Sequence, residues 1–196
     1  MTNVLASALR EAGKLSEAEH YGRFVLRQRR KLFGNSHAKA LSAAFSLAKT
    51  LKQMNKFDEA EELLQSIADV RRKSLGKCHQ RTIVAECNLV MFLFDTEQWE
   101  KARVATDSFL SEFEPVLGLF HKVVFSVKER FATTLLKLHK FALAEKTLRA
   151  WIAAANDDDD GDGDDDDGDD DGDDENRHNV MSWFNITLGK VLSKTN

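Results

Sequence analysis

The chain has 196 residues, 42% of them hydrophobic, and a formal net charge of −4. That is enough for one sizeable folded domain. No apolar run reaches the ~18 residues that would cross a bilayer, the N-terminus lacks the basic-then-apolar layout of a signal peptide, and two cysteines, Cys78 and Cys87, are too few for a disulfide framework. The composition therefore speaks against membrane insertion and a stapled secreted domain, and for a soluble, cytoplasmic protein.

The charge is divided unevenly. Residues 157–175 hold 14 Asp and one Glu of the chain's 32 acidic residues. The remainder carries 17 acidic residues against 28 basic ones, a balance of +11. A basic surface commonly meets an acidic partner, and here the chain carries a candidate of its own.

In chain order the sequence is a repeat. Met1 aligns with Ala43 and Ala85, inside a first helix, so the chain opens partway through a unit, either trimmed or a fragment of a longer array. "GKLSEAE" at Gly13 recurs as "NKFDEAE" at Asn55, "EQWEKAR" at Glu97 and "HKFALAE" at His139, each step being 42. "LFGNSH", "LGKCH" and "LGLFH" hold the same step, with Gly34, Gly76 and Gly118 ahead of His37, His79 and His121. Each unit reads as two helices. The first carries an apolar stripe at Leu47, Ala48 and Leu51, repeated at Leu89, Val90 and Leu93 and at Phe131, Ala132 and Leu135. A polar turn follows, then a second helix opened by Phe57, Ala60 and Leu64. Ala18, Ala60, Ala102 and Ala144 share a column where a larger side chain would overpack. The three glycines fall where second helices end, a place for a left-handed cap, and Pro115 sits in the last turn before one of them.

These motifs resemble the tetratricopeptide family, in the 42-residue form of kinesin light chains and of some fungal and bacterial sensor proteins. The resemblance implies an all-α fold, a right-handed superhelix of antiparallel helix pairs whose first helices line a concave groove. It implies binding of peptides or proteins, with no enzymatic activity and no cofactor. The family's concave positions map to Asn3, Ser7 and Arg10; Ser42, Phe45, Lys49 and Lys52; Val84, Cys87, Met91 and Phe94; Ser126, Glu129, Thr133 and Lys137; and Trp183 and Ile186. The family's Asn-Asn pair is replaced by Phe45-Ser46, Cys87-Asn88 and Glu129-Arg130. An apolar middle with basic ends suits an acidic, amphipathic partner segment. A sensor ATPase carrying these repeats as a fragment, and nucleic-acid binding through the +11 balance, are the alternatives.

The acidic run interrupts the array. Taking His178 as the next repeat His puts Leu188 ten and Leu192 fourteen residues after it, as Leu47 and Leu51 follow His37. The expected organisation is a repeat array over 1–156, a disordered acidic loop over 157–177 and the first helix of a fifth unit over 178–196. Long surface insertions cost little closure free energy, and like charges with glycine do not fold. Asp158, Asp160, Asp162 and Asp169 mimic part of a calcium-loop spacing, but the final bidentate Glu is missing. The histidines of the repeat column read as structural, and Cys78 beside His79 has no orienting acid that would make it a nucleophile. No phosphate-binding glycine motif and no zinc spacing occur.

Overall fold

The computed structural model describes residues 2–157 and 171–195. Among them all regular structure is helical. The first helices are α1 (Thr2–Glu11), α3 (Ala38–Gln53), α5 (Gln80–Asp95) and α7 (Lys122–Lys137). The second helices are α2 (Leu15–Phe33), α4 (Phe57–Leu75), α6 (Trp99–Leu117) and α8 (Phe141–Asp157), and α9 (Asp171–Thr195) closes the order. The start points of α3, α5 and α7, and those of α2, α4, α6 and α8, are each 42 residues apart, as the sequence period requires. The chain forms two compact units, Met1–Ala102 and Arg103–Asn196.

The turn inside each pair is built identically four times. Gly13, Asn55, Glu97 and His139 all have positive φ, between 56° and 75°. At the end of α3, the Asn55 N–H donates to the Lys52 carbonyl at 3.1 Å and the Lys56 N–H to the Leu51 carbonyl at 2.9 Å. The same two bonds recur one period on, from Glu97 to Phe94 and from Gln98 to Leu93. This is a Schellman cap, which satisfies carbonyls the helix end would otherwise leave open.

The link between pairs is different. Gly34 and Gly76 take φ 85° with ψ 168° and 165°. That region is essentially closed to any residue with a Cβ, so the glycine is required by conformation rather than by space, and nothing lies near where its Cβ would be. The expected left-handed cap at these glycines is thus corrected: the left-handed caps stand at the first-helix ends instead. Three residues on, His37, His79 and His121 cap α3, α5 and α7, each Nδ1 accepting the N–H two residues ahead at 3.1, 3.0 and 3.3 Å. Their recurrence has this structural cause.

The core of the first unit lies between the pairs. Ala18 and Ala60 are fully buried, as are Ala102 and Ala144 further along, so the small-residue column marks close helix approach. At Gly22 an added Cβ would fall 3.1 Å from Leu47 Cδ1. In the second unit Val180, Phe184, Thr187 and Val191 form the buried stripe of α9. The expected residues Leu188 and Leu192 are only half-buried. Helix already runs from Asp171, so His178 lies inside α9 and caps nothing. The buried stripe instead has the offsets of α7's Val124, Lys128, Phe131 and Leu135 when counted from Arg177, one residue earlier. Residues 158–170, where the calcium-like spacing falls, lie outside the described residues.

Candidate functional site

The expected groove positions are best described unit by unit. In the first unit Ser42, Lys49 and Val84 are exposed, and Ser7, Arg10, Phe45, Lys52, Cys87 and Met91 are half-buried. The side chain of Asn3, on α1, is outside the described ones. Phe94 is 3% exposed and belongs to the core. It follows Leu93, itself buried, on the core arc of α5; in the same column Lys52 reaches solvent by its long stem, which a phenyl ring cannot do.

What remains is a face shared by α3 and α5. Lys52 Nζ on α3 meets Asp95 Oδ2 on α5 at 2.5 Å, which ties the C-terminal ends of the two helices together. Upstream of that tie lie Phe45 on α3 and Val84, Cys87 and Met91 on α5. Val84 is 39% exposed. Lys49 Nζ stands 4.8 Å over the Phe45 ring, a cation–π contact that leaves its ammonium at the surface. Two of the expected basic ends are already engaged: Lys52 by Asp95, and Arg10 by the Ser7 hydroxyl at 2.7 Å.

Burial pushes the Cys87 thiol up to about 11, so it is held as a neutral thiol on this face. Cys78 is exposed, and both cysteines are free. Among the described residues no group of His, Cys, Asp and Glu is placed to hold a metal ion.

In the second unit Ser126 and Lys137 are exposed on α7, with Glu129 and Thr133 half-buried. Trp183 packs edge-on against Phe125 at 5.5 Å, while Ile186 stays exposed. Asn176 Nδ2 donates to the Phe120 carbonyl at 2.7 Å and Arg177 stacks over the Phe120 ring at 5.0 Å, which fixes α9 against the turn ahead of α7.

The electrostatics of the opposite helices escaped the sequence reading. Lys56 Nζ, at the residue ahead of α4, meets Glu19 on α2 at 2.8 Å, and Arg23 on α2 bridges Glu19 and Glu59. The Lys56 ammonium holds the Glu19 carboxyl below the usual range, with Arg23 assisting. Arg72 on α4 meets Glu86 on α5 at 2.8 Å, and Glu114 on α6 meets Lys128 on α7 at 2.5 Å. A cavity of about 480 Å³ lies between α2 and α4, and one of about 690 Å³ lies along α4 with Lys101 at its edge. None of the expected groove residues lines either cavity.

Helix pairs of this geometry, repeated at 42 residues, give a tetratricopeptide-like fold. A family model described as tetratricopeptide repeat matches residues 1–73. The fold of the chain is that of kinesin light chain-like repeat structures. A Podosopora anserina protein described as kinesin light chain-type, with nearly identical TPR-like repeats, superposes with TM-score 0.64 at 15% identity, covering 99% of this chain and 88% of that one. BtubC (BKLC) from P. vanneervenii gives 0.63 at 18% identity, covering 98% and 70%. No curated protein matches the sequence. Repeats of this fold are typically protein-interaction scaffolds without enzymatic activity, and no described helix is long and apolar enough to cross a membrane.

Proposed function

We propose that this chain is a non-enzymatic cytoplasmic scaffold that holds a segment of another protein against the α3–α5 face. The carrying observation is that face itself: Phe45, Val84, Cys87 and Met91 keep apolar surface in reach of solvent beside the Lys52–Asp95 tie. Stacked repeats normally bury such residues or give them polar character. Lys49 over Phe45 supplies one exposed charge, so an acidic amphipathic segment is the best-matched partner, its apolar side chain on Phe45 and Met91 and a carboxylate at Lys49.

The acidic run adds a regulatory reading. Fifteen acidic residues in 157–175 are tethered to a remainder of +11. A short tether gives roughly millimolar effective concentration, and individual exposed pairs of about 0–1 kcal/mol need only total about 1.4 kcal/mol for a tenfold effect. The run then competes with acidic partners. Replacing 158–170, between α8 and α9, by a neutral Gly/Ser segment of equal length raises partner affinity, more at 20 mM than at 500 mM salt, because the screening length shortens with salt. Equal affinities at both salts would leave the run a spacer. Phe45→Glu with Met91→Glu abolishes capture while the helical signal persists; unchanged capture by that folded double variant would contradict the proposal.

A further inference from the structure

The column that carries Arg72–Glu86 and Glu114–Lys128 has a third member with one half missing. Forty-two residues before Arg72 stands Arg30, and forty-two before Glu86 stands Ala44. Arg30 therefore has no carboxylate where its counterpart has one. Among the described residues no acidic side chain pairs with Arg30 or with Arg27, one turn before it on α2.

Two cavities meet at Arg30. One, about 290 Å³, is lined by Arg30 with Ala40, Leu41, Ala44 and Ile67, at the place a longer side chain on residue 44 would fill. The other, about 480 Å³, places Arg27 and Arg30 over Leu26, Leu47 and Leu63. Its acids are Glu59 and Glu62, and Glu59 is taken by Arg23, which leaves two guanidinium groups against Glu62. The volume is within the range of ligand clefts, ~300–1,000 Å³. The repeat does not demand these arginines. Arg27 becomes Asp69 and then Ser111 at the next two periods, and Arg30 becomes Arg72 and then Glu114. Arg27 departs from the period at once, and Arg30 keeps it for one unit but lacks the carboxylate that Arg72 has.

We propose that this α2–α3–α4 corner is a second binding site, separate from the α3–α5 face, that takes an Asp or Glu side chain of a partner peptide together with an apolar neighbour. The carboxylate does for Arg30 what Glu86 does for Arg72, in the forked geometry a guanidinium favours. The apolar side chain rests on Leu26, Leu47 and Leu63.

The test uses the full chain and a short fluorescein-labelled peptide of alternating Glu and Leu pairs, read by anisotropy beside the same peptide with Gln for Glu. The Glu peptide binds, and the Gln peptide binds about tenfold more weakly or not at all, since each charge-assisted bond is worth roughly a factor of ten or more. Arg30→Ala and Arg27→Ala each weaken binding about tenfold. Ala44→Glu weakens it as much, because the built-in carboxylate occupies Arg30, and does not lower the unfolding midpoint. Lys77→Ala, at an exposed cation that lines neither cavity, leaves binding unchanged. No binding to the parent chain, equal binding of the two peptides, or full binding by Arg30→Ala overturns the proposal. Loss in Phe45→Glu/Met91→Glu alone also overturns it and moves the peptide to the α3–α5 face. Should Ala44→Glu not fold, Arg30→Ala decides, because that side chain is at the surface.

Discussion

Lys128 Nζ lies 2.5 Å from Glu114 Oε1, and each of the two residues stands 42 positions after one of opposite charge, Glu86 and Arg72, which are themselves paired at 2.8 Å. The same inter-pair contact is thus made twice with its sign reversed. Lys128 is 0% exposed and its ammonium sits 5.2 Å over the Trp151 ring, whereas Arg72 and Glu86 are part-exposed. Sign reversal makes each contact suited to its own neighbour, since a slip of one unit would set Arg72 against Lys128 and Glu86 against Glu114.

Glu114→Ala should destabilise the protein by about 1.5–3 kcal/mol, because it removes a charge-assisted hydrogen bond from a buried ammonium. Glu114→Arg with Lys128→Glu recreates the Arg72–Glu86 orientation and should recover most of that loss. Urea unfolding of the two single variants and the double variant gives the coupling. Strictly additive losses would show that the two residues do not act as a pair.

Thr106 on α6 is fully buried and its hydroxyl has no hydrogen-bond partner among the described residues. It occupies the column of Leu64 and Leu148, both buried and apolar. Burying an unmade hydroxyl costs about 1–3 kcal/mol. Thr106→Val keeps the shape and should raise the stability by about 1 kcal/mol in thermal or urea unfolding. A decrease would mean that the hydroxyl finds a partner, such as a bound water.

Glu97 holds the left-handed position of its turn at φ 59°, where the first turn has Gly13. A non-glycine residue there costs roughly 1–2 kcal/mol, part of which glycine gives back through its greater unfolded-state freedom. Glu97→Gly should therefore stabilise by about 0.5–1 kcal/mol, while Gly34→Ala, at a φ and ψ closed to alanine, should destabilise by about 1–3 kcal/mol. The opposite order in unfolding midpoints would refute the assignment of the two turn types.

The fold was legible in the sequence wherever a residue recurred. The 42-residue step located helix starts, the alanine column and the capping histidines, because each is a local requirement repeated in every unit. Pairings were not legible in this way. Arg72–Glu86 and Glu114–Lys128 join residues fourteen apart around a helix corner, and only a comparison of columns for opposite signs would have shown them. The register of α9 was misplaced by one residue because the acidic run removes the glycine and turn that anchor the count. One residue turns a helix by ~100°, enough to expect Leu188 and Leu192 where Thr187 and Val191 are buried. The repeat column alone places Phe94 in the groove, whereas its aromatic ring turns into the core.

Whether the α3–α5 face holds a partner segment is decided by photo-crosslinking from a benzoyl-phenylalanine placed at position 45 and, separately, at position 104, where Val104 is 58% exposed on α6. Irradiation of cells expressing each variant should give discrete protein adducts from position 45, lost when Met91→Glu is added, and none from position 104. Adducts from position 104 alone, or adducts from position 45 that persist unchanged with Met91→Glu, would contradict the assignment of this face.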